Sequence, residues 1–373
     1  MKKLFSVIFI LFSAGVLTGG ILVFIRFRQN PEQIFPYPYL FQAPAPSVKL
    51  EAPILIIGDR MGDYFAKFQS ELASTISINL AKPIKIQSMA LPGHALHRNL
   101  HELRSLVQWP QILIYHGASE EFSEIKFKFD DSKIIKNNFA LYKDDRIETA
   151  LILRPWLSRL IYTPHQRIIL PEDPQLLKEI TEQDYLSRLE TELLLFEQQL
   201  IQLVNLSRDR NTLLILSTTP INLDITPRKI CEFTSTIDVE KELLALEELL
   251  SANNPKAAYA KSSKLIEQYM GNAQLFFVHG QIAKRLGYID EAKEALLKAS
   301  ALDCDPWRST EVYNSIIRKV SDNHQVILFD FAKMVESDWA KNITFFDEFY
   351  PQNLYYEEGV KQLGLLIKQI LKL

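Results

Sequence analysis

Four consecutive apolar residues, Ile54-Leu55-Ile56-Ile57, stand between Pro53 and the segment Gly58-Asp59-Arg60-Met61-Gly62. A short β-prone apolar run without a polar residue, bounded by proline and glycine, reads as a strand buried on both faces, the kind found at the centre of a parallel α/β sheet. In such sheets ligands sit beyond the carboxyl ends of the strands, so Asp59 and Arg60 fall at the mouth of any site.

The segments that follow keep to this pattern. Tyr64 to Leu80 carries Phe65, Phe68, Leu72 and Ile76 at helical spacing. Pro83 to Met89 alternates as a second strand and ends at Pro92-Gly93; a helix is expected from about Ala95 to Val107. The strand Ile112 to Tyr115 stops at His116-Gly117. Phe122 to Glu182, broken by prolines, reads as loops and short helices. A long helix over Tyr185–Leu206 leads to the strand Thr212–Leu216, which closes in Thr218-Thr219-Pro220. A helix over Thr310–Val320, a strand over Val326–Asp330 and a helix over Glu357–Leu371 complete the chain. Strands alternating with helices, with glycines at the strand exits, predict a doubly wound α/β domain.

With 373 residues, 47% hydrophobic and 23% charged, the chain has material for a large core and for more than one domain. Its net charge of -3 provides no basic field, which argues against a nucleic-acid partner. Lys2 and Lys3 precede an uncharged run from Leu4 to Ile25, closed by Arg26-Phe27-Arg28. Such a helix, at about 1.5 Å per residue, is about 33 Å long and can cross a bilayer core. Residues 1–28 therefore read as an uncleaved membrane anchor, with residues 4–25 in lipid and the amino terminus inside. Ser13-Ala14-Gly15 also offers the small residues of a signal cleavage site. Residues 29–53, with six prolines, read as an extended linker. Cys231 and Cys304 can form one bridge in an oxidising compartment or remain two buried thiols.

Residues 236–306 change to pure helix. Ala258 and Ala292 lie 34 residues apart, each opening the second helix of a pair, which is the tetratricopeptide period. Phe276, Gly280, Gly287-Tyr288, Ala292, Leu296, Ala299 and Pro306 strengthen the second copy. Two repeats are fewer than usually stand alone, so they are expected to pack on the α/β domain and to offer a surface to a protein partner.

The order of signals resembles the SGNH/GDSL hydrolases, a three-layer, flavodoxin-like α/β family of esterases, deacetylases and acyltransferases. The resemblance covers roughly Ile54 to Pro220 and Tyr313 to Leu373, within an α/β domain of residues 54–235 and 307–373 that has the helical pairs as an insert. Gly58-Asp59-Arg60 stands where the family has Gly-Asp-Ser, with Arg60 at the nucleophile. Gly93 matches the glycine whose N–H serves the oxyanion, and Gly117-Ala118-Ser119-Glu120 matches Gly-x-Asn-Asp, with Ser119 at the second donor. Asp347-Glu348-Phe349-Tyr350-Pro351 matches the late Asp-x-x-His, with Tyr350 at the base.

The departures fall on the chemistry. Acyl transfer needs a hydroxyl and a base to activate it. A guanidinium offers only donors, and a phenol with pKa about 10 stays neutral. The resemblance therefore implies a pseudoenzyme, a membrane-held binding or scaffold protein with its soluble part outside the cytoplasm. Its pocket would bring Asp59, Arg60, Gly93, His94, His116, Ser119, Glu120 and Tyr350 to an anionic or glycan ligand. The alternatives are that Arg60 makes a salt bridge to Asp59, Glu120 or Asp347 and fills the site, or that a rearranged set drawn from Asp59, His94, His116, Ser119 and Asp347 keeps an envelope esterase, deacetylase or acyltransferase active. On a helix, His94, His97 and His101 would share one face, but no carboxylate pair or cysteine joins them, so no metal or cofactor is expected.

Overall fold

The computed structural model describes residues 2–29, 50–78, 83–124, 126–127, 129–163, 182–228, 239–303 and 307–371. Both cysteines and most of the proline-rich linker lie outside these residues. In chain order the elements are α1 (Lys2–Gln29), β1 (Ile54–Ile57), α2 (Arg60–Ala66), α3 (Gln69–Ser77), β2 (Ile86–Ser88), α4 (Leu96–Ser105) and β3 (Ile112–His116). Then come α5 (Ser132–Tyr142), α6 (Asp145–Leu153), α7 (Ser158–Ile161), α8 (Glu182–Asp209) and β4 (Leu213–Ser217). They are followed by α9 (Val239–Ser251), α10 (Pro255–Gln268), α11 (Ala273–Leu286) and α12 (Ile289–Ala301). The last are α13 (Glu311–His324), β5 (Ile327–Phe329), α14 (Phe331–Glu336) and α15 (Asn353–Leu371).

The chain forms two compact units, residues 1–42 with 125–178, and residues 43–124 with 179–373. The larger holds a five-stranded, all-parallel sheet in the order β2-β1-β3-β4-β5. Strand order reverses between β1 and β3, so the crevice beyond their carboxyl ends is the topological switch point. All four residues of β1 are buried, as its unbroken apolar run requires. Ile54, Ile56, Ile112, Ile114 and Ile215 point to one face and pack against Phe65, Leu72, Ile76, Phe331, Tyr356, Val360 and Leu363 from α2, α3, α14 and α15. Each such side chain contributes about 1.5–3 kcal/mol when fully buried. The alternate residues Leu214 and Leu216 face the other way by the period of a strand, toward α8 and α13, which both contact β4.

The helix expected over Tyr64–Leu80 is two helices, broken at Lys67-Phe68. The break lets three aromatic rings meet α15, with Tyr64, Phe65 and Phe68 lying 5.0, 6.3 and 5.3 Å from the Tyr356 ring.

Four helices, α9 to α12, fill 239–301. Leu246, Ala258, Leu265, Leu275 and Ile282 form the core of the first three. Ala283, Ala292 and Leu296 of the last two pack with Ile221, Leu223 and Trp339 of the body that carries the sheet.

In the smaller unit, α1 encloses the whole uncharged run from Leu4 to Ile25. Among the described residues no helix is long and apolar enough to cross a membrane.

Candidate functional site

β1 and β3 run in register, Ile57 opposite Tyr115, so their exits open side by side. The exits are packed tightly. Gly58 has φ +150, and a Cβ there would lie 1.8 Å from the carbonyl oxygen of His116; one at Gly62 would lie 2.5 Å from the same oxygen. Asn99, buried on α4, clamps the turn by accepting the Gly58 N–H at 3.1 Å.

Asp59 caps α2 by accepting the Met61 N–H at 2.9 Å through Oδ1. Its Oδ2 accepts the N–H of Ser119 at 2.6 Å, the N–H of Glu120 at 3.0 Å and the Ser119 hydroxyl at 2.9 Å. Asp59 therefore joins the β1 exit to the β3 exit. Burial, with the nearby Glu120 carboxylate, pushes its pKa up to about 7, against the hydrogen bonds from Met61 and Ser119 that favour the charged form.

Glu120 holds the centre. Its Oε1 lies 2.7 Å from Nε and 2.5 Å from Nη2 of Arg60. Its Oε2 accepts the backbone N–H groups of Gly93 at 2.7 Å and of Arg60 at 3.1 Å. Two main-chain donors that converge on one oxygen have the layout of an oxyanion hole, and here a carboxylate from the same chain fills it. The Arg60 guanidinium also lies 4.5 Å from the Phe349 ring centre. What remains open between Met61, Ser119, Asn222, Arg308 and Phe349 is a cavity of about 10 Å³, room for about one water.

The other site residues are spent locally. Asp347 is exposed and accepts the N–H groups of Phe349 at 2.8 Å and Tyr350 at 2.6 Å, closing its own turn. Tyr350 stacks on Tyr64 at 4.4 Å, and burial raises its phenol further above the ordinary value, so it remains a neutral hydroxyl. His94 precedes α4, because Gly93 at φ +79 is still turning, and its Nδ1 lies 3.5 Å from Glu102. His97 is buried with Nδ1 3.5 Å from Glu124, so the three histidines do not share one helical face. Among the described residues no group of three or more metal-ligating side chains is assembled.

His116 does not open onto the cavity. It lies in the core with its ring centre 5.2 Å from Phe65 and 5.6 Å from Phe331, and neither ring nitrogen has a hydrogen-bond partner among the described residues. Burial lowers its pKa to about 3.

Sequence reasoning missed two neighbours of Glu120. Glu121 accepts the Leu96 N–H at 2.7 Å, and Glu124 accepts the Ala95 N–H at 2.9 Å. The stretch Glu120-Glu121-Phe122-Ser123-Glu124 thus serves the starts of α2 and α4 together, where carboxylates complement unpaired N–H groups. The spacing of the acids was visible, but the helices they cap lie far away in sequence. A further polar chain links the helical region. Ser262 Oγ lies 2.9 Å from His279 Nδ1, and His279 Nε2 lies 3.1 Å from Glu291. Ser262 and His279 are both buried, which makes this a joint between α10, α11 and α12 rather than a nucleophile facing substrate.

Comparison with family profiles, with curated proteins and with solved structures finds no match for this chain.

Proposed function

We propose that this chain is a membrane-anchored, SGNH/GDSL-like pseudoenzyme, and that it acts as a binding or scaffold protein outside the cytoplasm. One observation carries the loss of catalysis. The Glu120 carboxylate takes both the Arg60 and the Gly93 N–H, the donors an acyl oxyanion would need, while Arg60 stands where a nucleophile would be. The remaining serine at the site, Ser119, directs its hydroxyl to Asp59 rather than to an imidazole, and the same Asp59 oxygen is taken up by the backbone N–H groups of Ser119 and Glu120. The strand order and the placement of Gly58-Asp59, Gly93 and Gly117 at strand exits support the family reading. The binding role is assigned to the helices α9 to α12, which we read as two tetratricopeptide-like pairs. Gly280 of α11 supports that reading, since a Cβ there would lie 2.6 Å from Leu296 Cγ of α12, the close crossing such a pair requires. The anchor reading is supported by the extent of α1 and by the exposure of Val16, Leu17, Ile21, Leu22 and Phe24 along it.

The test is incubation of the full-length protein with a fluorophosphonate probe, read by intact mass. No adduct is expected on the parent. A stoichiometric adduct abolished by Ser119→Ala would sink the pseudoenzyme reading and establish an activated serine.

A further inference from the structure

The smaller unit carries an apolar corner that nothing in the reading above uses. At the junction of α6 with the 3₁₀ turn Pro155–Leu157, Ile152 is 56% exposed, Leu153 67% and Trp156 45%. Three large apolar side chains within five residues, exposed together, exceed the scattered single exposures normal for a surface. The sequence between and after them is basic: Arg154 is exposed and Arg159 follows one turn later.

The position of this corner is set by its link to α1. The Arg26 guanidinium donates to the carbonyl oxygens of Ile161 and Tyr162, both at 3.2 Å, and the Arg159 guanidinium lies 4.8 Å from the Phe27 ring centre. Helix α7 is therefore fastened to the residues where the uncharged run of α1 ends. Trp156 is three residues from Arg159, so the chain holds it within about 11 Å of that junction. If residues 4–25 span the bilayer, Arg26 and Phe27 lie at its face, and the corner cannot be far from the headgroups. An indole with aliphatic neighbours and flanking arginines is the composition that settles there, the ring and aliphatic groups in the acyl boundary and the cations among phosphates.

We propose that Ile152, Leu153 and Trp156 form a second membrane contact, resting on the leaflet from which α1 emerges. The occupant of the corner is thus a phospholipid surface, and the contact holds the smaller unit against the bilayer. This inference rests on the anchor reading, and the experiment separates the two.

Full-length protein is reconstituted into vesicles of phosphatidylcholine and phosphatidylglycerol in which the phosphatidylcholine is brominated close to the headgroup. Tryptophan emission is compared with that in unbrominated vesicles, for the parent and for Trp156→Phe. The chain has 4 tryptophans, so contact through Trp156 predicts a loss of up to about a quarter of the emission in the parent. That loss should vanish in Trp156→Phe and weaken in the double variant Ile152→Ser, Leu153→Ser. Protein that co-floats with the vesicles and resists alkaline carbonate, yet shows identical quenching with and without Trp156, overturns the contact and leaves the anchor standing. Protein that fails to co-float overturns both.

Discussion

The Glu120 carboxylate lies 2.5 Å from the Arg60 guanidinium through one oxygen and 3.1 Å from the backbone nitrogen of the same residue through the other. A single acid thus neutralises the Arg60 side chain and satisfies the backbone N–H of the same residue. The pair is nearly closed to solvent on the Glu120 side, while the Arg60 side chain keeps 30% of its exposure. Such an arrangement is a structural joint between the exits of β1, β2 and β3.

That joint can be opened. Glu120→Ala leaves the Arg60 and Gly93 N–H groups without their acceptor and the guanidinium without its partner. A loss of about 2–4 kcal/mol is expected, below the full cost of a buried pair because Arg60 can reach water. The vacated volume should accept a small carboxylate. Acetate is expected to raise the melting temperature of Glu120→Ala in a saturable way and to leave the parent unchanged. Equal response of both proteins would mean that the donors do not form a site.

Asp59 provides a titration that reports on the same centre. Its pKa in the folded protein is raised to about 7 by burial and by Glu120, above the ordinary carboxylate value. Between these values the folded state holds a proton that the unfolded state releases. The contribution of Asp59 to stability is therefore complete at acid pH and is lost as pH rises through about 7. Glu120→Gln removes the neighbouring charge and should move the Asp59 titration to lower pH. Carboxyl carbon-13 shifts of aspartate-labelled protein measure it directly, and an unchanged Asp59 titration in the variant would rule out Glu120 as a cause.

His116 acts in the opposite direction. Its folded pKa of about 3 lies below the ordinary imidazole value, so the unfolded chain takes up a proton that the core refuses. Stability is lost as pH falls below about 6.5, by about 2 kcal/mol at pH 5. His116→Leu, which puts an apolar group among Phe65 and Phe331, should remove that loss. Denaturant unfolding at pH 8 and pH 5 checks this; the same drop in both proteins would place the acid sensitivity elsewhere.

Gly58→Ala tests the closure of the strand exits. The added Cβ would meet the His116 carbonyl at 1.8 Å, and that atom belongs to the backbone of the adjacent strand. Neither strand can yield without breaking the β1–β3 ladder, so a loss above about 4 kcal/mol is expected, enough to leave little soluble protein. Gly93→Ala makes the comparison. It has open space around its Cβ but φ +79, and should cost only about 1–2 kcal/mol. Similar expression and melting of the two variants would argue against the close approach.

Much of the architecture was legible locally. Ile54-Leu55-Ile56-Ile57 has no polar residue to turn toward water, so it had to be a strand covered on both faces, and it is. The turns Gly58-Asp59, Pro92-Gly93 and His116-Gly117 marked the strand exits; Gly58 and Gly93 take positive φ there, whereas after β3 the positive φ falls on Ala118. The helical spacing of 239–301 could be read for the same reason, as each amphipathic face repeats within one element. The break at Lys67-Phe68 was hidden, since it depends on Tyr356, which lies far along the chain.

Sequence alone could also say that Arg60 and Tyr350 are unfit for acyl transfer, because protonation chemistry belongs to the side chain. It left three carboxylates open as partners of Arg60. Tertiary structure chose among them: Asp59 is taken up by the backbone of Ser119 and Glu120, Asp347 by its own turn, and Glu120 alone reaches both the guanidinium and the two N–H groups. His116 shows the same division. Its adjacency to Gly117 placed it near the site, but the pleat of β3 turned its side chain into the core beside Phe65 and Phe331. Residue type decides what a group can do, and the packing of elements distant in sequence decides which groups meet.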